Sequence, residues 1–170
     1  CFAELWLIDL YSRKNETKTK FRQVWHNIDG TRGIQYSLSF SLPGFIDRLI
    51  EVWITWDYSV DENGLTTFII AFVPMDEYEG SRNIIPGTER LKRATSKGVY
   101  IIRELSENTC EWTRIQQVDV KTKNLPNSVL QHLFKYQLGW SNFVRDKYRR
   151  NPALVDRERG DVLADMMRKR

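Results

Sequence analysis

Hydrophobic and polar residues alternate most regularly between Ile34 and Leu42. The even positions of this segment are apolar, and its odd positions carry the small polar residues Gln35, Ser37, Ser39 and Ser41. An alternation with a period of two is typical of a β-strand that buries one face. We therefore expect the even positions to face the core and the odd positions to face water.

Four further segments have the composition of strands and are separated by turn sequences rich in Asp, Asn and Gly. They cover residues 48–58, 65–73, 90–105 and 110–120. The segment 65–73 is apolar at both even and odd positions, which favours a place in the centre of a sheet. Gly98 interrupts the segment 90–105 and predicts a β-bulge or bend. Short connections predict an antiparallel arrangement.

Helical spacing of apolar residues occurs near both ends of the chain. Phe2–Tyr11 predicts a short amphipathic helix, and 127–150 predicts a long one that follows Pro126 and stops at Asn151-Pro152. The order of elements predicts an α+β fold of the helix-grip type, in which a curved antiparallel sheet carries the long C-terminal helix across it. Residues 1–150 form the predicted domain, and 151–170 are predicted to be a charged tail or linker.

Composition adds limits to this picture. The chain has 170 residues, of which 41% are hydrophobic and 28% charged, and a formal net charge of +4. These values indicate one soluble, cored domain and exclude a disordered chain. Two cysteines, Cys1 and Cys110, are too few for a disulfide framework, so we expect a cytoplasmic setting with Cys110 as a small buried side chain.

The sequence resembles the START family, the lipid-binding domains related to steroidogenic acute regulatory protein. The residues that carry the resemblance are Pro43, Phe45-Ile46-Asp47-Arg48, Val52-Trp53, Arg93-Ala94, Gly98-Val99-Tyr100, Ile102, Cys110-Glu111-Trp112-Thr113, Val118-Asp119-Val120-Lys121 and Leu125-Pro126. Resemblance extends over about Phe2 to Arg150. These are structural positions of strands and turns, and none of them is a catalytic signature.

Two features depart from the family pattern. Thr122-Lys123-Asn124 stands where many members have a glycine between the last strand and the closing helix. Phe2–Arg13 resembles a helix from the middle of the family's fold, so the first helix and first strands of the family are missing. We expect the sequence to be an N-terminally incomplete fragment of a multidomain protein.

The family resemblance implies a hydrophobic tunnel between sheet and closing helix that binds one lipid or sterol-like molecule without covalent chemistry. Transfer of the bound molecule is a further expectation. Burial of an apolar ligand is favourable in such a tunnel, and a few polar groups suffice to orient its head. The candidate lipid-binding residues are Tyr36, Leu38, Phe40, Trp56, Trp112, Arg114, Gln116, Phe134, Gln137, Ser141 and Val144. Among these, Arg114, Gln116, Gln137 and Ser141 are the candidates for orienting the polar head.

Each of these residues also has an ordinary structural interpretation. The apolar candidates are also typical core residues, and Gln137 and Ser141 can lie at the solvent boundary of the helix. Arg114 can instead point outward beside Glu111 or Asp119, because strand parity slips easily near a bulge. The alternative function is a START-like regulatory or protein-interaction module whose cavity is filled by its many aromatic rings.

Few residues point to chemistry. His26 and His132 lack ligands at suitable spacing, so we expect no metal, and no acid-base pair indicates an enzyme or a cofactor. Basic residues cluster at 13–22, 149–150 and 168–170. Such clusters are usually solvated surface, and their functional interpretation is transient contact with an anionic membrane. We expect no nucleic-acid partner.

Overall fold

The computed structural model describes residues 21–26, 33–41, 44–80, 82, 84–106, 109–150 and 160. Its strands are β1 (Phe21–His26), β2 (Ile34–Phe40), β3 (Arg48–Val60), β4 (Thr66–Pro74), β5 (Lys92–Ser106) and β6 (Thr109–Asp119). A 3-10 turn spans Met75–Glu77, and the helix α1 spans Asn127–Arg150. The predicted helix Phe2–Tyr11 and, apart from residue 160, the predicted tail 151–170 lie outside the described residues.

The strands follow one another in the sheet in the order β1-β2-β3-β4-β5-β6, and each neighbouring pair is antiparallel. The predicted central position of β4 is confirmed, since β4 lies between β3 and β5. One short parallel pairing joins Arg48–Ile50 of β3 to Lys92–Ala94 of β5. It forms because β4 ends at Pro74, opposite Val52, and leaves the start of β3 for β5 to cover. The structure is thus α+β, with an antiparallel meander as its sheet.

The described residues fall into two compact units: the sheet with its loops as far as Lys123, and the segment from Asn124 onward, which contains α1. The N–H groups of Val129 and Leu130 donate to the carbonyl of Pro126, which begins the first helical turn. Packing of the helix across the sheet, the finer part of the sequence expectation, stays a prediction.

The hairpin between β3 and β4 shows how the sequence encodes a turn. The carboxylate of Asp61 accepts the backbone N–H groups of Asn63 and Leu65, each at 2.9 Å. Gly64 has a φ of +79°, a left-handed conformation that glycine adopts without steric cost. The predicted turn between these strands is therefore confirmed, and it sets the register of the pair.

The strand registers pair even residues with even and odd with odd, except for Ser106 and Thr109 beyond the irregularity at the end of β5. Apart from that end, parity therefore assigns each side chain in β2 to β6 to a face of the sheet. We call the face of the even-numbered residues the aromatic face, because it carries the rings Tyr36, Phe40, Trp56, Tyr58, Phe68, Phe72, Tyr100 and Trp112. The opposite face is the odd face.

The expectation that the odd positions of β2 face water is wrong. Gln35 and Ser37 are 0% exposed and Ser39 is 3% exposed, whereas the apolar residues Tyr36 and Leu38 are only half-buried. On the neighbouring strand β3, a second layer covers this end of the odd face. Next to β2, the segment after β4 covers β3: Tyr78 stacks on Trp53 with ring centroids 4.3 Å apart.

The odd face also holds a buried carboxylate. Glu51, which pairs with Ser37 in the register, has a side chain that is 4% exposed. Its Oε2 accepts from Arg82 at 2.7 Å and from Arg93. Arg82 donates in addition to Asp76 at 3.0 Å. Pairing with two guanidinium groups compensates the desolvation of Glu51 and holds the segment after β4 against the sheet.

Of the bulge or bend predicted at Gly98, the bulge is wrong. Gly98 pairs regularly with Phe72 and Gln116, and the one irregularity in the described β5–β6 register lies between Glu104 and Ser106. The reason for a glycine is a close approach of backbone. A Cβ at this position would overlap the backbone oxygen of Ile115 and lie 2.9 Å from the ring of Phe72.

Cys110 is exposed rather than buried, which corrects the expectation of a small core side chain. It lies near the start of β6, a strand at the edge of the described sheet and close to a hairpin turn. Side chains at such a corner have few neighbours, so the general tendency of cysteine to be buried is overridden by position.

A buried arginine joins three segments at one end of the sheet. Arg48 is 2% exposed and donates from Nε to the carbonyl of Val120 at 2.8 Å. Its two terminal nitrogens donate to the carbonyl of Ile46 and to Oγ1 of Thr122. These bonds connect the loop before β3 with the segment that follows β6.

The hydrogen bonds between Asp119, the last residue of β6, and Lys121 can be tested by titration. The pKa of its carboxyl lies below the ordinary value of 3.8 because it accepts hydrogen bonds from the side chain and the backbone N–H of Lys121. A lowered folded-state pKa contributes stability above the unfolded pKa, and this contribution is lost as pH falls through the folded value. We expect Lys121→Met to raise the pKa of Asp119 toward its ordinary value in an NMR titration of the carboxyl carbon. An unchanged pKa would show that the backbone N–H alone holds it down.

Candidate functional site

Seven of the candidate lipid-binding residues lie on the aromatic face of the sheet. They are Tyr36, Leu38, Phe40, Trp56, Trp112, Arg114 and Gln116. Trp56 is 6% exposed, and the others are half-buried. Two orientations are open for Arg114 from the sequence alone. The structure places it with Trp112 and Gln116 rather than with Glu111 and Asp119 on the odd face.

Arg114 lies in a polar cluster on β5 and β6. Its Nε donates to Oε1 of Gln116 at 2.9 Å, and its Nη2 donates to the same oxygen. Nε2 of Gln116 donates in turn to Oγ of Ser96 at 2.8 Å. Ser96 is 4% exposed, so this chain of hydrogen bonds is anchored in the interior of the unit. The guanidinium group is therefore held in one orientation by two neutral side chains.

One aromatic ring lies near the guanidinium, and two further rings pack against that ring. The Cζ of Arg114 lies 5.5 Å from the ring centroid of Tyr100, within the range of a cation–π interaction. Tyr100 meets Phe72 and Trp112 edge to face, with centroid distances of 5.2 Å and 6.0 Å. These contacts fix the ring positions and bring a positive charge next to a largely apolar surface.

Trp112 supplies a further polar group. Its Nε1 is buried, and it has no hydrogen-bond partner among the described residues. A buried indole N–H normally finds an acceptor, and leaving it unpaired costs about 1–3 kcal/mol. Trp112 lies two residues from Arg114 on the same face of β6, so an acceptor group of a ligand that reached this N–H would be favourable.

Sequence reasoning missed Ser96 and Tyr100 as members of this cluster. Both have the same parity as Arg114 in the register, and the missing side chain of Gly98 leaves room between them for Gln116. The signal in the sequence was the run of small residues at 95, 96 and 98 in an otherwise bulky strand. Only Gly98 was interpreted, as a bulge or bend, and a bulge shifts parity and hides the shared face.

The four candidates on α1 are described only in part. Phe134 is 64% exposed, Ser141 is half-buried and Val144 is 2% exposed. The side chain of Gln137 lies outside the described residues. The exposure of Phe134 is not what we expect of a residue buried against a ligand.

A small cleft opens beside the start of β3. It is lined by Leu49, Glu51, Pro74, Met75, Asp76, Arg93, Ala94 and Thr95. The space inside it admits about one water molecule. A lipid cannot enter a cleft of this size, and the carboxylate at its wall is already paired.

In the described part of the chain, no group of three or more His, Cys, Asp or Glu side chains is placed to hold a metal ion. Over the same residues, no helix is long and apolar enough to cross a bilayer.

No family model matches the sequence, and the search of curated proteins found no significant match. The resemblance to the START family therefore stays a prediction, and the site has to be argued from its own geometry.

Proposed function

We propose that the protein binds a single amphipathic small molecule, a lipid or sterol-like compound, on the aromatic face of its sheet without catalysing a reaction. The apolar part of the ligand would contact the rings and aliphatic side chains of this face. Its polar end would lie at Arg114, Gln116 and Trp112. Transfer of the ligand between membranes would follow if binding is reversible.

The observation that supports this proposal best is the unpaired, buried Nε1 of Trp112 within an aromatic surface that also carries a fixed cation. A binding pocket typically combines apolar walls with a few convergent polar groups. The apolar surface extends to β2, near the other end of the strand order, through the half-buried residues Tyr36, Leu38 and Phe40. The START resemblance adds the expectation that the C-terminal helix closes over this face.

Ligand binding can be tested with two matched substitutions. Leu38→Gln places a polar group on the aromatic face, and Ile69→Gln makes the comparable change at a 40% exposed position of the odd face. Removing one leucine contact of about 1.5 kcal/mol or more weakens binding about tenfold. We expect that loss for Leu38→Gln with a fluorescent long-chain lipid, measured by titration, and a dissociation constant within about twofold of wild type for Ile69→Gln.

Mass spectrometry of organic extracts of the purified protein provides the complementary measurement. A stoichiometric lipid in the wild type that is depleted in Leu38→Gln would support the proposal. Equal loss in both variants would point to a general effect on folding. Failure of the folded wild type to bind any lipid would contradict the proposal.

A second candidate function is a regulatory or protein-interaction module with a filled interior. It is favoured by the extent to which rings of the aromatic face pack on one another. The ring centroid of Tyr58 lies 5.7 Å from that of Phe68 and 6.4 Å from that of Trp56. The edge-to-face contacts of Tyr100 add to this packing. A solidly packed face would resist lipid uptake, so the absence of lipid binding in a stable protein is the outcome that this alternative predicts.

A further inference from the structure

We propose that one end of the sheet docks on an anionic lipid bilayer and inserts two isoleucine side chains, Ile46 and Ile84, at the level of the head groups. The surface consists of the segments 44–47, 84–92 and 120–123, which we call the loop end. This inference goes beyond the proposed function, because docking on a membrane does not require a ligand on the aromatic face.

The three segments of the loop end lie at the same end of the sheet. The parallel pairing of Arg48–Ile50 with Lys92–Ala94 brings the segments that precede β3 and β5 side by side. The N–H of Lys92 donates to the carbonyl of Asp47 at 3.1 Å and joins the two directly. β6 runs antiparallel to β5 and therefore ends beside the start of β5, where the third segment follows. The three segments are thus neighbours in space.

Ile46 is held in an exposed position by the hydrogen bonds around it. The residue is 66% exposed, and its carbonyl accepts a hydrogen bond from the guanidinium of buried Arg48. The same guanidinium donates to the carbonyl of Val120 and to Oγ1 of Thr122, which connects the first segment to the third. Because a buried side chain fixes this backbone, the exposure of Ile46 is a property of the folded structure.

Ile84 is 84% exposed, more than any other large hydrophobic residue that the structure describes. Its neighbours along the chain are anchored: Arg82 binds the carboxylate of Glu51 at 2.7 Å, and Ile85 is only 4% exposed. The hydroxyl of Thr88 donates to the carbonyl of Ile85 at 2.9 Å and fixes the turn that follows. One exposed aliphatic side chain is common on a protein surface, whereas two on neighbouring anchored segments indicate a surface that a partner covers.

The charge of the loop end favours an anionic partner. The three segments contain four basic residues and two acidic ones. Arg90, Lys92 and Lys123 are exposed, and among the described residues none of them forms an ion pair. Basic residues are attracted to negative head groups, and aliphatic side chains beside them gain by leaving water. A nucleic acid would match the charge but would leave both isoleucines in water, so the combination favours a membrane.

The test is co-sedimentation of the purified chain with lipid vesicles. Vesicles of phosphatidylcholine with about 30% phosphatidylserine represent the anionic bilayer, and vesicles of phosphatidylcholine alone represent a neutral one. We expect the wild type to bind the anionic vesicles more tightly by about tenfold or more, because each basic residue near the surface contributes about fivefold.

Two substitutions test the insertion of the isoleucines. Full burial of an isoleucine corresponds to about tenfold or more in binding, and burial at the head-group level gains part of this. Ile46→Gln and Ile84→Gln should therefore each weaken binding to anionic vesicles by about fivefold. Ile115→Gln is the matched control, because Ile115 is 61% exposed but lies on the odd face of β6. Its binding should stay within about twofold of wild type.

Two further substitutions test the charge. Arg90→Gln removes an exposed cation of the loop end and should weaken binding about fivefold. Arg103→Gln removes an arginine whose side chain is 61% exposed near the other end of β5, and it should change binding by less than about twofold. Circular dichroism and urea unfolding establish that each variant is folded.

The docking surface would be overturned by equal binding to neutral and anionic vesicles, by the absence of binding to either, or by equal losses in the Ile84 and Ile115 variants. A loss with Arg90→Gln but with neither variant of the loop-end isoleucines would overturn it too, because the contact would then be electrostatic without insertion. The proposed function is tested separately by titration of Leu38→Gln with the fluorescent lipid, so either proposal can fail alone.

Discussion

Gly98→Ala is expected to lower the free energy of unfolding by about 3 kcal/mol, at the upper end of the usual cost of overpacking. Gly98 pairs with Phe72 on one side and Gln116 on the other, so it lies inside the sheet. An added Cβ would overlap the backbone oxygen of Ile115 and approach Cα of Gln116 to 2.9 Å. Backbone atoms of a paired strand cannot move aside without loss of ladder hydrogen bonds. The midpoint of thermal unfolding should fall by about 6–12 °C.

Gly139→Ala is the matched control for this change. Gly139 lies inside α1, and an added Cβ would have no heavy atom within 4 Å among the described residues. Alanine in a helix is favoured over glycine by about 0.5–1 kcal/mol, so this variant should be slightly more stable than wild type. A Gly98→Ala protein with wild-type stability would mean that β5 and β6 do not approach as closely as the structure shows.

Alternation of residue types predicted the strands well, because a strand is a local structure whose period is written directly in the sequence. The predicted segment 48–58 became Arg48–Val60, and 110–120 became Thr109–Asp119. β1 was not identified. Its short run Phe21–His26 includes Arg22 and Gln23, and its alternation is too weak to distinguish from a loop.

Burial could not be predicted in the same way, because it depends on what covers each face. Gln35 and Ser37 have the composition of a wet face, yet both are fully buried. The layer over this face includes Tyr78 and Arg82, which are far along the chain from β2. The local sequence of β2 does not indicate that segments so distant in the chain lie over this face. The sequence around Glu51 likewise does not indicate that Arg82 binds its carboxylate.

The candidate site was predictable in part. Parity alone brought Trp112, Arg114 and Gln116 to one face, and the register supports that grouping. The link from Gln116 to Ser96 depends on the diagonal between neighbouring strands and on the space left at Gly98. That geometry follows from the pairing register, which a sequence constrains only through turn lengths and packing.

Arg48→Lys is expected to destabilise the protein by about 3 kcal/mol, although the charge is retained. Arg48 is 2% exposed, and its guanidinium reaches Val120, Ile46 and Thr122 at once through three separate nitrogens. No carboxylate of the described residues pairs with it, so these neutral acceptors are what compensates its desolvation. A lysine ammonium is a point charge without the planar fork. It leaves the carbonyl of Val120 with only the long hydrogen bond from Oγ1 of Thr122 at 3.4 Å, while its own charge stays desolvated.

Comparison with Arg48→Met separates geometry from charge. Methionine also loses the three hydrogen bonds, but it removes the buried charge and keeps much of the apolar volume. We therefore expect the methionine variant to be more stable than the lysine variant in urea unfolding. Arg103→Lys is the control on an exposed arginine, whose side chain is 61% exposed, and should change stability by less than about 0.5 kcal/mol. A lysine variant as stable as wild type would show that Arg48 reaches water in solution. The hydrogen bonds of its guanidinium would then not be what joins Ile46 to the segment after β6.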